Sequence, residues 1–284
     1  MKQRQILTTE PKPFVKWAGG KRQLVPIIEK HIPQEFGTYY EPFLGGGAVL
    51  FHLLCKKPDT KCHVSDLNSD LVLAYVTIRD RVEELISSLQ THAKNYHKSP
   101  DSYYYSVREG QPKSQIEKVS RLLFLNRTCF NGLYRVNSKG KFNVPLGRYS
   151  NPNIVNDENL VSVSHTLQSK KIQISCRDFS SIVSDAKKND FVYFDPPYQP
   201  VSRTANFTSY TNRDFTYEDL RRLVEVSERL ADKGCKVLHS NSNSREVRDL
   251  FSRDWKIVEI SANRAINSDS TKRTGHTELL IKSY

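Results

Sequence analysis

The sequence contains no run of 18 apolar residues, so it offers no segment that would cross a lipid bilayer as a helix. Its N-terminal stretch, MKQRQILTTEPK, lacks the apolar core of a secretory signal. The five cysteines are scattered, odd in number and without a C-x-x-C pair, which argues against a disulfide framework or a zinc site. The eight histidines show no metal-ligand spacing either. We therefore expect a cytoplasmic protein with no membrane span and no bound metal.

Acidic residues are missing from residues 118–156, whereas basic residues are frequent there. The chain as a whole carries a net charge of +12, with a pI near 9.4. A surface that only faces solvent usually mixes both signs of charge, so a stretch of one sign favours contact with nucleic-acid phosphates. An ordinary basic protein is the alternative. The basic side chains of this stretch are Lys118, Arg121, Arg127, Arg135, Lys139, Lys141 and Arg148.

Strands and helices alternate over most of the chain, which is typical of an open α/β sheet. Helical spacing of apolar residues predicts helices at 48–54, 68–78 and 215–233. Apolar runs that end at turn residues predict strands at 38–43, 61–65, 172–176, 190–194, 235–239, 255–260 and 277–282.

Residues 80–156 interrupt this alternation. They are helical first, at 81–97 and 115–125, and continue as a Gly-, Asn- and Arg-rich stretch with the character of a β-hairpin. We expect an inserted, mainly helical domain here that carries the hairpin and recognises the target. Residues 1–79 and 157–284 would form the catalytic domain around the sheet.

A glycine-rich turn follows the first predicted strand. Gly45, Gly46 and Gly47 let a ligand approach the backbone closely, and Asp66 lies 19 residues beyond Gly47, a spacing suited to a carboxylate that binds ribose hydroxyls. Leu50 stands where nicotinamide-binding proteins have their third glycine, so a pyrophosphate fits poorly. S-adenosylmethionine has no phosphate and suits this turn better. A plain strand-to-helix turn is the alternative.

The strongest local signal is Asp195-Pro196-Pro197-Tyr198, which ends an apolar strand because proline cannot continue one. The amino nitrogen of adenine is a poor nucleophile, since its lone pair is delocalised into the ring. The Asp195 carboxylate and the Pro196 carbonyl would hold the amino group and direct that lone pair at a methyl group. Tyr198 would stack on the base, and the prolines would stiffen the loop. Alone, the tetrapeptide predicts methylation of an amino group on a planar substrate.

Further motifs occur in a fixed order along the chain, and they resemble those of the Dam family of DNA adenine-N6 methyltransferases, which act on GATC. The resemblance implies a Rossmann-like class I methyltransferase sheet, S-adenosylmethionine as the cofactor and double-stranded DNA as the partner, with the target adenine flipped out of the duplex. The motifs are FVKWAGGK at 14–21, EPFLGGG at 41–47, NGLYRVN at 131–137, FNVP at 142–145, GRY at 147–149 and DPPY at 195–198.

The same resemblance implies roles for individual residues. Lys16 would reach the first guanine of the site, and Phe130 would insert into the DNA. Tyr134 departs from the pattern, since some members carry a small residue there. The cofactor-binding residues would be Trp17, Lys21, Phe43, Gly45, Asp66, Asp178 and Phe179. The DNA-binding residues would be Lys16, Arg127, Phe130, Asn131, Leu133, Arg135, Asn143, Pro145, Arg148 and Tyr149.

Two other kinds of function stay open. A non-catalytic regulator that kept the fold would bind DNA without the cofactor, and a related amino-methyltransferase would act on RNA or on a protein glutamine. Cytosine-C5 methylation is excluded, because it needs a cysteine nucleophile, commonly after a proline, and the sequence has no Pro-Cys pair. We expect a monomer, since a palindromic site can be methylated one strand at a time. A restriction endonuclease is an open partner, and the place of action would be the nucleoid of a prokaryote or phage-infected host.

Overall fold

The computed structural model describes residues 9–17, 19–137, 139–169, 171–198, 215–251, 254–262 and 276–284. The aromatic stretch 202–215 follows the tetrapeptide, and the sequence suggests either a lid over a bound base or a loop anchored by its aromatic residues; apart from Phe215 it lies outside these residues. So do the basic side chains Arg264, Lys272 and Arg273, which the sequence suggests as phosphate contacts.

The described strands form one seven-stranded sheet of the α/β type that the sequence predicts. The order is β3-β2-β1-β4-β5-β7-β6 in strands numbered along the chain, and β7 runs antiparallel between β5 and β6 while the other pairs are parallel. The strands are β1 (Tyr39–Glu41), β2 (Cys62–Asp66), β3 (Ile172–Cys176), β4 (Phe191–Phe194), β5 (Lys236–Ser242), β6 (Lys256–Ala262) and β7 (His276–Lys282).

Strand β4, at the centre of the sheet, is apolar throughout because both faces of the sheet are covered. Along β4, Phe191 and Tyr193 belong to one core cluster, and Val192 and Phe194 belong to a second cluster on the opposite face. All four residues are fully buried. The alternation of side chains along the strand therefore divides one apolar run between two cores.

Helices cover both faces of the sheet and build the insertion. Capping boxes fix the starts of two of them, at Ser114 with Glu117 and at Thr216 with Asp219. The helices are α1 (Val25–Glu29), α2 (Ala48–Lys56), α3 (Ser69–Lys98), α4 (Pro100–Glu109), α5 (Gln115–Thr128), α6 (Asp157–Leu167), α7 (Ile182–Asp185), α8 (Tyr217–Asp232) and α9 (Arg245–Leu250). Within the described residues, none of these helices is long and apolar enough to span a membrane.

Helix α3 joins the sheet to the insertion. The sequence predicts two helices over this stretch, and in the structure two helical segments meet at a kink at Arg81, where φ is −141° and ψ is 39°. The sequence analysis missed α4, whose first residue, Pro100, is a favoured starter of helices. The rings of Tyr103, Tyr104 and His92 pack around Phe124 of α5. The insertion thus has its own aromatic core, continuous with that of the sheet.

The stretch predicted as a β-hairpin has hairpin connectivity but little strand. Two isolated antiparallel bridges join Cys129 to Leu146 and Val136 to Phe142, and no continuous strand forms between residues 129 and 149, residue 138 set aside. Pro145 lacks the N–H that a ladder needs. Gly140, at φ +71°, makes the turn. This part of the insertion is therefore a folded-back loop that depends on side-chain contacts.

Candidate active site

Three carboxylates that the sequence assigns to the site lie at the same edge of the sheet. Asp66 is the last residue of β2, Asp178 lies two residues beyond β3, and Asp195 directly follows β4. These strands are parallel, so their carboxyl ends meet at one edge, where ligands of open α/β sheets collect. The strand order reverses beside β1, which places this edge at the topological switch point.

Asp66 ties the glycine-rich turn to the start of α3. Its Oδ2 accepts a hydrogen bond from the Gly45 N–H at 2.9 Å, and its Oδ1 accepts one from the Asn68 N–H at 2.9 Å. Gly45 has φ +50°, and a Cβ there would lie 3.1 Å from the Trp17 ring, so the tight turn requires glycine. Burial raises the pKa of the Asp66 carboxyl. The predicted cofactor residues Trp17, Gly45 and Asp66 therefore lie side by side.

Asp178 and Phe179 form a second group at this edge. Asp178 accepts hydrogen bonds from the Ser180 N–H and hydroxyl and pairs with Arg222 at 2.7 Å. Burial acts to raise the pKa of Asp178, but the hydrogen bonds from Ser180 and the charge of Arg222 outweigh it and hold that pKa below its ordinary value. The Phe179 ring stacks on Phe43 at a centroid distance of 5.3 Å, and the Arg222 guanidinium covers Phe179 at 4.6 Å. Aromatic faces beside a carboxylate suit an adenine ring.

Lys21 pairs with Asp195 inside the protein. Its Nζ lies 2.8 Å from Asp195 Oδ1 and donates to the Gly19 carbonyl at 2.9 Å, and the lysine is only 4% exposed. Apart from this ion pair, Asp195 Oδ1 has no hydrogen-bond partner in the described part of the chain. The sequence predicts a cofactor-binding role for Lys21, and in the structure its ammonium contacts Asp195, Glu278 and the Gly19 carbonyl.

Tyr198 completes the group from the far end of the tetrapeptide. Its hydroxyl donates to Glu278 Oε2 at 2.7 Å, and Lys21 Nζ lies 4.5 Å from the centre of its ring. Burial raises the pKa of the Tyr198 phenol well above its ordinary value, so the hydroxyl stays a donor. Lys21 covers one face of this ring. Pro196 is buried and Pro197 half-buried between the two side chains that they separate.

The Asp195 carboxyl titrates in an unusual range. Burial raises its pKa to about 6, the charge of Lys21 opposes this shift, and the charge of Glu278 adds to it. Asp195 is therefore ionised at neutral pH but needs only a small change in its surroundings to take up a proton.

A second region, residues 129–149 without residue 138, is called the recognition segment below. Its predicted DNA-binding side chains fall into two sets. Phe130, 46% exposed, Asn131, Pro145 and Arg148 face solvent. Asn131 adopts φ +54° in the short turn that follows α5.

The other predicted DNA-binding residues bond within the protein. Arg135 donates to the side chain of Asn143 at 2.8 Å, so these two hold each other. Lys16 Nζ lies 3.3 Å from the Tyr149 hydroxyl and 4.3 Å from the centre of its ring. Leu133 is half-buried against the core. These contacts shape the segment before any DNA arrives.

The sequence places Arg127 among the DNA-binding residues. In the structure its Nη2 donates to the Phe14 carbonyl at 2.7 Å, and burial lowers the pKa of its guanidinium. The contact ties α5 to the N-terminal part of the chain. The sequence could not separate this arginine from its exposed neighbours, since the charge pattern is the same.

Three residues important to the site were not predicted. Asn126 accepts from the Lys16 N–H at 2.7 Å and donates to the carbonyls of Lys16 and Gly132. Arg222 pairs with Asp178, and Glu278 holds Tyr198. Glu278 carried a signal, because it is the one charged residue before a run of three fully buried apolar residues in β7. The direction of β7, which brings it to the site, is not readable from that run.

Residues 14–17 and 19–21 contact the recognition segment, the glycine-rich turn and Asp195. Lys16 contacts the recognition segment, Trp17 lies against Gly45, and Lys21 pairs with Asp195. Trp17 also packs on Tyr134 of the recognition segment at a centroid distance of 5.5 Å. One short stretch thus links the surfaces that the sequence assigns to DNA, cofactor and chemistry.

Sequence comparison identifies the class of protein that this fold and site define. A family model described as D12 class N6 adenine-specific DNA methyltransferase matches residues 17–266. The chain belongs to this family, and it is an S-adenosylmethionine-dependent, adenine-specific DNA methyltransferase.

Individual relatives match over nearly the whole chain. The type II methyltransferase M.MjaIII of Methanocaldococcus jannaschii is 41% identical over 290 residues, which cover 97% of this chain and 100% of that protein. The type II methyltransferase M1.LlaDCHI of Lactococcus lactis subsp. cremoris is 41% identical over 279 residues, covering 96% and 95%. The DNA adenine methylase of Escherichia coli is 34% identical over 269 residues, covering 94% and 93%.

The residues at the sheet edge fit S-adenosylmethionine. Asp66 and Asp178 supply carboxylates for hydroxyl and amino groups, and the stacked Phe43 and Phe179 rings offer an aromatic face. Carboxylates also complement a sulfonium cation, and Asp195 Oδ1 is a buried acceptor whose partner among the described residues is the Lys21 ammonium. The same residues show no group of three or more His, Cys, Asp or Glu side chains that could hold a metal ion.

Proposed function

We propose that this methyltransferase modifies the N6 amino group of adenine within GATC in duplex DNA, with the base flipped out of the helix into the space beside Asp195. Asp195, Pro196, Pro197 and Tyr198 would be its catalytic residues. The geometry that supports this proposal most directly is the group formed by Asp195, Lys21 and Tyr198 at the carboxyl end of β4.

Asp195 would orient the target amino group. Its Oδ1 and the Pro196 carbonyl accept the two amino hydrogens, so the nitrogen lone pair is drawn out of conjugation and aimed at the methyl donor. When bound, S-adenosylmethionine supplies an electrophilic sulfonium methyl, whose C–S bond breaks as the bond to N6 forms. The methylated nitrogen then holds one proton too many. Asp195 can accept this proton, because burial raises its pKa to about 6.

Tyr198 would hold the flipped base by stacking. Lys21 lies over one face of its ring, so the base would stack on the opposite face. The hydroxyl is tied to Glu278, which limits rotation of the ring. A flipped base loses its neighbours in the duplex, and stacking on an aromatic side chain replaces part of that loss.

Cofactor and DNA would be held on opposite sides of residues 14–21. Trp17, Phe43, Gly45, Asp66, Asp178 and Phe179 would hold the cofactor, with Asp66 at the ribose and Asp178 at the adenine amino group. Lys21 would neutralise Asp195 until the base arrives, in addition to the cofactor role that the sequence suggests.

The recognition segment would read the bases of the site. Arg148 is exposed and offers two donors to a guanine edge, Asn131 can pair with a polar base edge, and Pro145 can contact a thymine methyl. Phe130 is exposed, as a side chain that enters the base stack must be. Lys16, Arg135, Asn143 and Tyr149 would hold these residues in place or reach the DNA after rearrangement.

We also propose the division of the chain that the sequence predicts. Residues 80–156 would be the inserted target-recognition domain, and residues 1–79 and 157–284 would be the catalytic domain. The helical geometry of α3 breaks at Arg81, and α6 begins at Asp157. Both features fall at the proposed junctions.

A methylation assay with matched duplexes tests the site specificity. Purified protein, labelled S-adenosylmethionine and duplexes that contain either GATC or a permutation of the same bases are incubated at equal concentrations. We expect label only in the GATC duplex. A control duplex with N6-methyladenine already on both strands should take up no label. Equal labelling of GATC and permuted duplexes contradicts the proposed site while leaving the activity in place.

The names of two relatives bear on the biological role. Both are type II methyltransferases, so we propose that this chain protects its site from a partner restriction endonuclease in the same cell. The place of action would be the nucleoid of its host. Sequencing of methylated adenines in DNA from an expressing host, followed by digestion with an endonuclease specific for the site found, tests this role. Cleavage of the modified site would contradict it.

A further inference from the structure

Glu278 is a carboxylate that directly precedes an apolar run in β7. Leu279, Leu280 and Ile281 follow it in β7 and are fully buried, and its own side chain is 14% exposed. In the sheet register it pairs with Ser242 at the carboxyl end of β5. Because β7 runs antiparallel to β5, the beginning of β7 lies at the edge where the parallel strands end. The topology therefore carries Glu278 to the catalytic group from the far end of the sequence.

Within the described part of the chain, the hydrogen bond and the ion pair of the Glu278 side chain are with that group. The Tyr198 hydroxyl donates to its Oε2 at 2.7 Å, and Lys21 Nζ lies 3.9 Å from the same oxygen. Lys21 thus stands between two carboxylates, nearer to Asp195 at 2.8 Å. With the lysine cation between them, the two carboxylates leave one net negative charge, which matches the single positive charge of a sulfonium.

We infer that Glu278 is a positioning residue of the methyl transfer, which fixes the Tyr198 ring through its hydroxyl and shares Lys21 with Asp195. This inference rests on the catalytic roles proposed for Asp195 and Tyr198. Without Glu278, the Tyr198 ring can rotate away from the plane on which a base would stack. Lys21 is also held by Asp195 alone, and Asp195 is then less available to the amino group of the target.

The charge of Glu278 shifts the pKa of Asp195, and the direction of this shift can be measured. Among the described residues, the titratable groups that interact with the Asp195 carboxyl are Glu278, Lys21, Tyr198, Tyr193 of β4 and Glu41, the last residue of β1. The negative charge of Glu278 raises the pKa of Asp195. Glu278→Gln removes this charge but keeps the shape and an acceptor for Tyr198. The pKa of Asp195 must then fall.

The first experiment follows the Asp195 carboxyl carbon by NMR titration of the free protein, selectively labelled at aspartate. We expect the midpoint to shift to lower pH in E278Q and E278A. Glu259→Gln is the matched control, because Glu259 lies on the neighbouring strand β6, is half-exposed and pairs with Arg248 instead. Its midpoint should stay at the wild-type value. A midpoint that E278Q leaves unchanged overturns the shared-lysine role.

The second experiment measures single-turnover rates with saturating DNA and S-adenosylmethionine. E278A should lose roughly a hundredfold, the loss typical of a misplaced reacting group, and E278Q should lose less because its amide oxygen still accepts from Tyr198. Tyr198→Phe removes the same hydrogen bond from the other side. The double variant Y198F/E278A should therefore lose less than the two single losses combined. Additive losses, or a wild-type rate in E278A, contradict the positioning role.

Two further readings separate this inference from the proposed function. Asp195→Asn, measured in parallel, tests the catalytic role of Asp195; a near-normal rate in that variant defeats the proposed function, whereas the carboxyl titration still decides the electrostatic role of Glu278. If D195N is inactive and E278A has the wild-type rate, the inference on Glu278 is wrong and the proposed function stands. If E278A melts at a lower temperature than the wild type, the isosteric E278Q decides. A role confined to stability would lower the melting temperature of E278Q and leave its Asp195 midpoint unmoved.

Discussion

The carboxyl edge of the sheet and the recognition segment hold their side chains by different means. At the sheet edge, Lys21, Asp195, Tyr198 and Glu278 are largely buried and contact one another at short range. In the recognition segment, the residues that can reach bases are exposed, and regular strand is replaced by two isolated bridges. One region is fixed by burial and charge pairing, and the other by a few internal anchors.

The difference follows from what each region must do. Methyl transfer requires atoms placed to within a fraction of an ångström, which rigid strands and buried ion pairs provide. Recognition requires side chains that are free to meet base edges, which loops on a firm support provide. The support here is Asn126, which bonds both Lys16 and Gly132, together with the Tyr104 hydroxyl, which donates to the Val144 carbonyl at 2.8 Å. Variants in the two regions should therefore fail in different ways.

The largest effect is expected at the sheet edge. Asp195→Asn keeps the size of the side chain but loses the charge and one acceptor, so transfer should fall by roughly a thousandfold or more. DNA affinity should stay within about threefold of wild type, because Asp195 lies outside the recognition segment. Single-turnover methylation and fluorescence anisotropy with a labelled duplex measure the two quantities. Loss of DNA binding in parallel with transfer would show that the two regions are not separable.

A smaller effect, of another kind, is expected at Arg148. Arg148→Ala should lower discrimination between GATC and single-base variants by about 1–3 kcal/mol, roughly tenfold to a hundredfold, while leaving cofactor affinity unchanged. Lys139→Ala is the control, since Lys139 is exposed near the turn of the same segment. It should weaken binding to all sequences alike and reduce the salt dependence of binding by about one phosphate contact. Uniform weakening by R148A would assign Arg148 to phosphate contact.

Lowering the pH of the wild-type protein should reduce the rate of methyl transfer while leaving DNA affinity nearly unchanged. The pKa of Asp195 is raised to about 6 by burial, so kcat/KM should fall about tenfold per pH unit below that value as the carboxylate is protonated. Guanidinium groups stay charged in this range, so DNA affinity should change little between pH 7 and pH 5. Rates and anisotropy measured across this range provide the comparison. If the decrease in kcat/KM began only below pH 5, a group other than Asp195 would be responsible for it.

Ionisation of the Asp195 carboxyl, which methyl transfer requires, lowers the stability of the folded protein. Its folded-state pKa lies above the ordinary value of 3.8, so the folded protein binds the proton more tightly than the unfolded chain. The ionised form therefore costs stability above pH 6, and this cost disappears as pH falls from about 6 to about 4. D195N, which cannot titrate, should lack this contribution in denaturant unfolding measured at both pH values.

The smallest effect is expected where the two regions touch. The Tyr134 hydroxyl donates to Asp70 at 3.0 Å, and its ring packs on Trp17. Tyr134→Phe removes only the hydrogen bond and should weaken cofactor binding by about 0.5–1.5 kcal/mol, although Tyr134 belongs to the recognition segment. Calorimetry with S-adenosylmethionine measures this change. Tyr105→Phe, an exposed tyrosine on α4, is the control and should bind as the wild type does.

The sequence predicts the sheet edge better than the insertion. Apolar runs closed by prolines or glycines predict β4 and the position of Asp195, because chain chemistry alone ends a strand there. The break in helical geometry at Arg81 falls where the sequence predicts the boundary between two helices, whereas the turn residues of the predicted hairpin do not show that its ladder is missing. The sequence also could not show which side chains pair with one another. The charge of Lys21 is plain in the sequence, but its pairing with Asp195 across 174 positions, from 21 to 195, is set by tertiary structure.

The antiparallel strand also has a consequence for how the molecule is made. In the described sheet, β7 lies between β5 and β6, yet it follows both of them in the sequence and is therefore synthesised after both. Until β7 emerges from the ribosome, β6 has no neighbouring strand in this sheet to pair with. The seven described strands can therefore pair completely, and Glu278 can reach Tyr198, only after β7 has been synthesised.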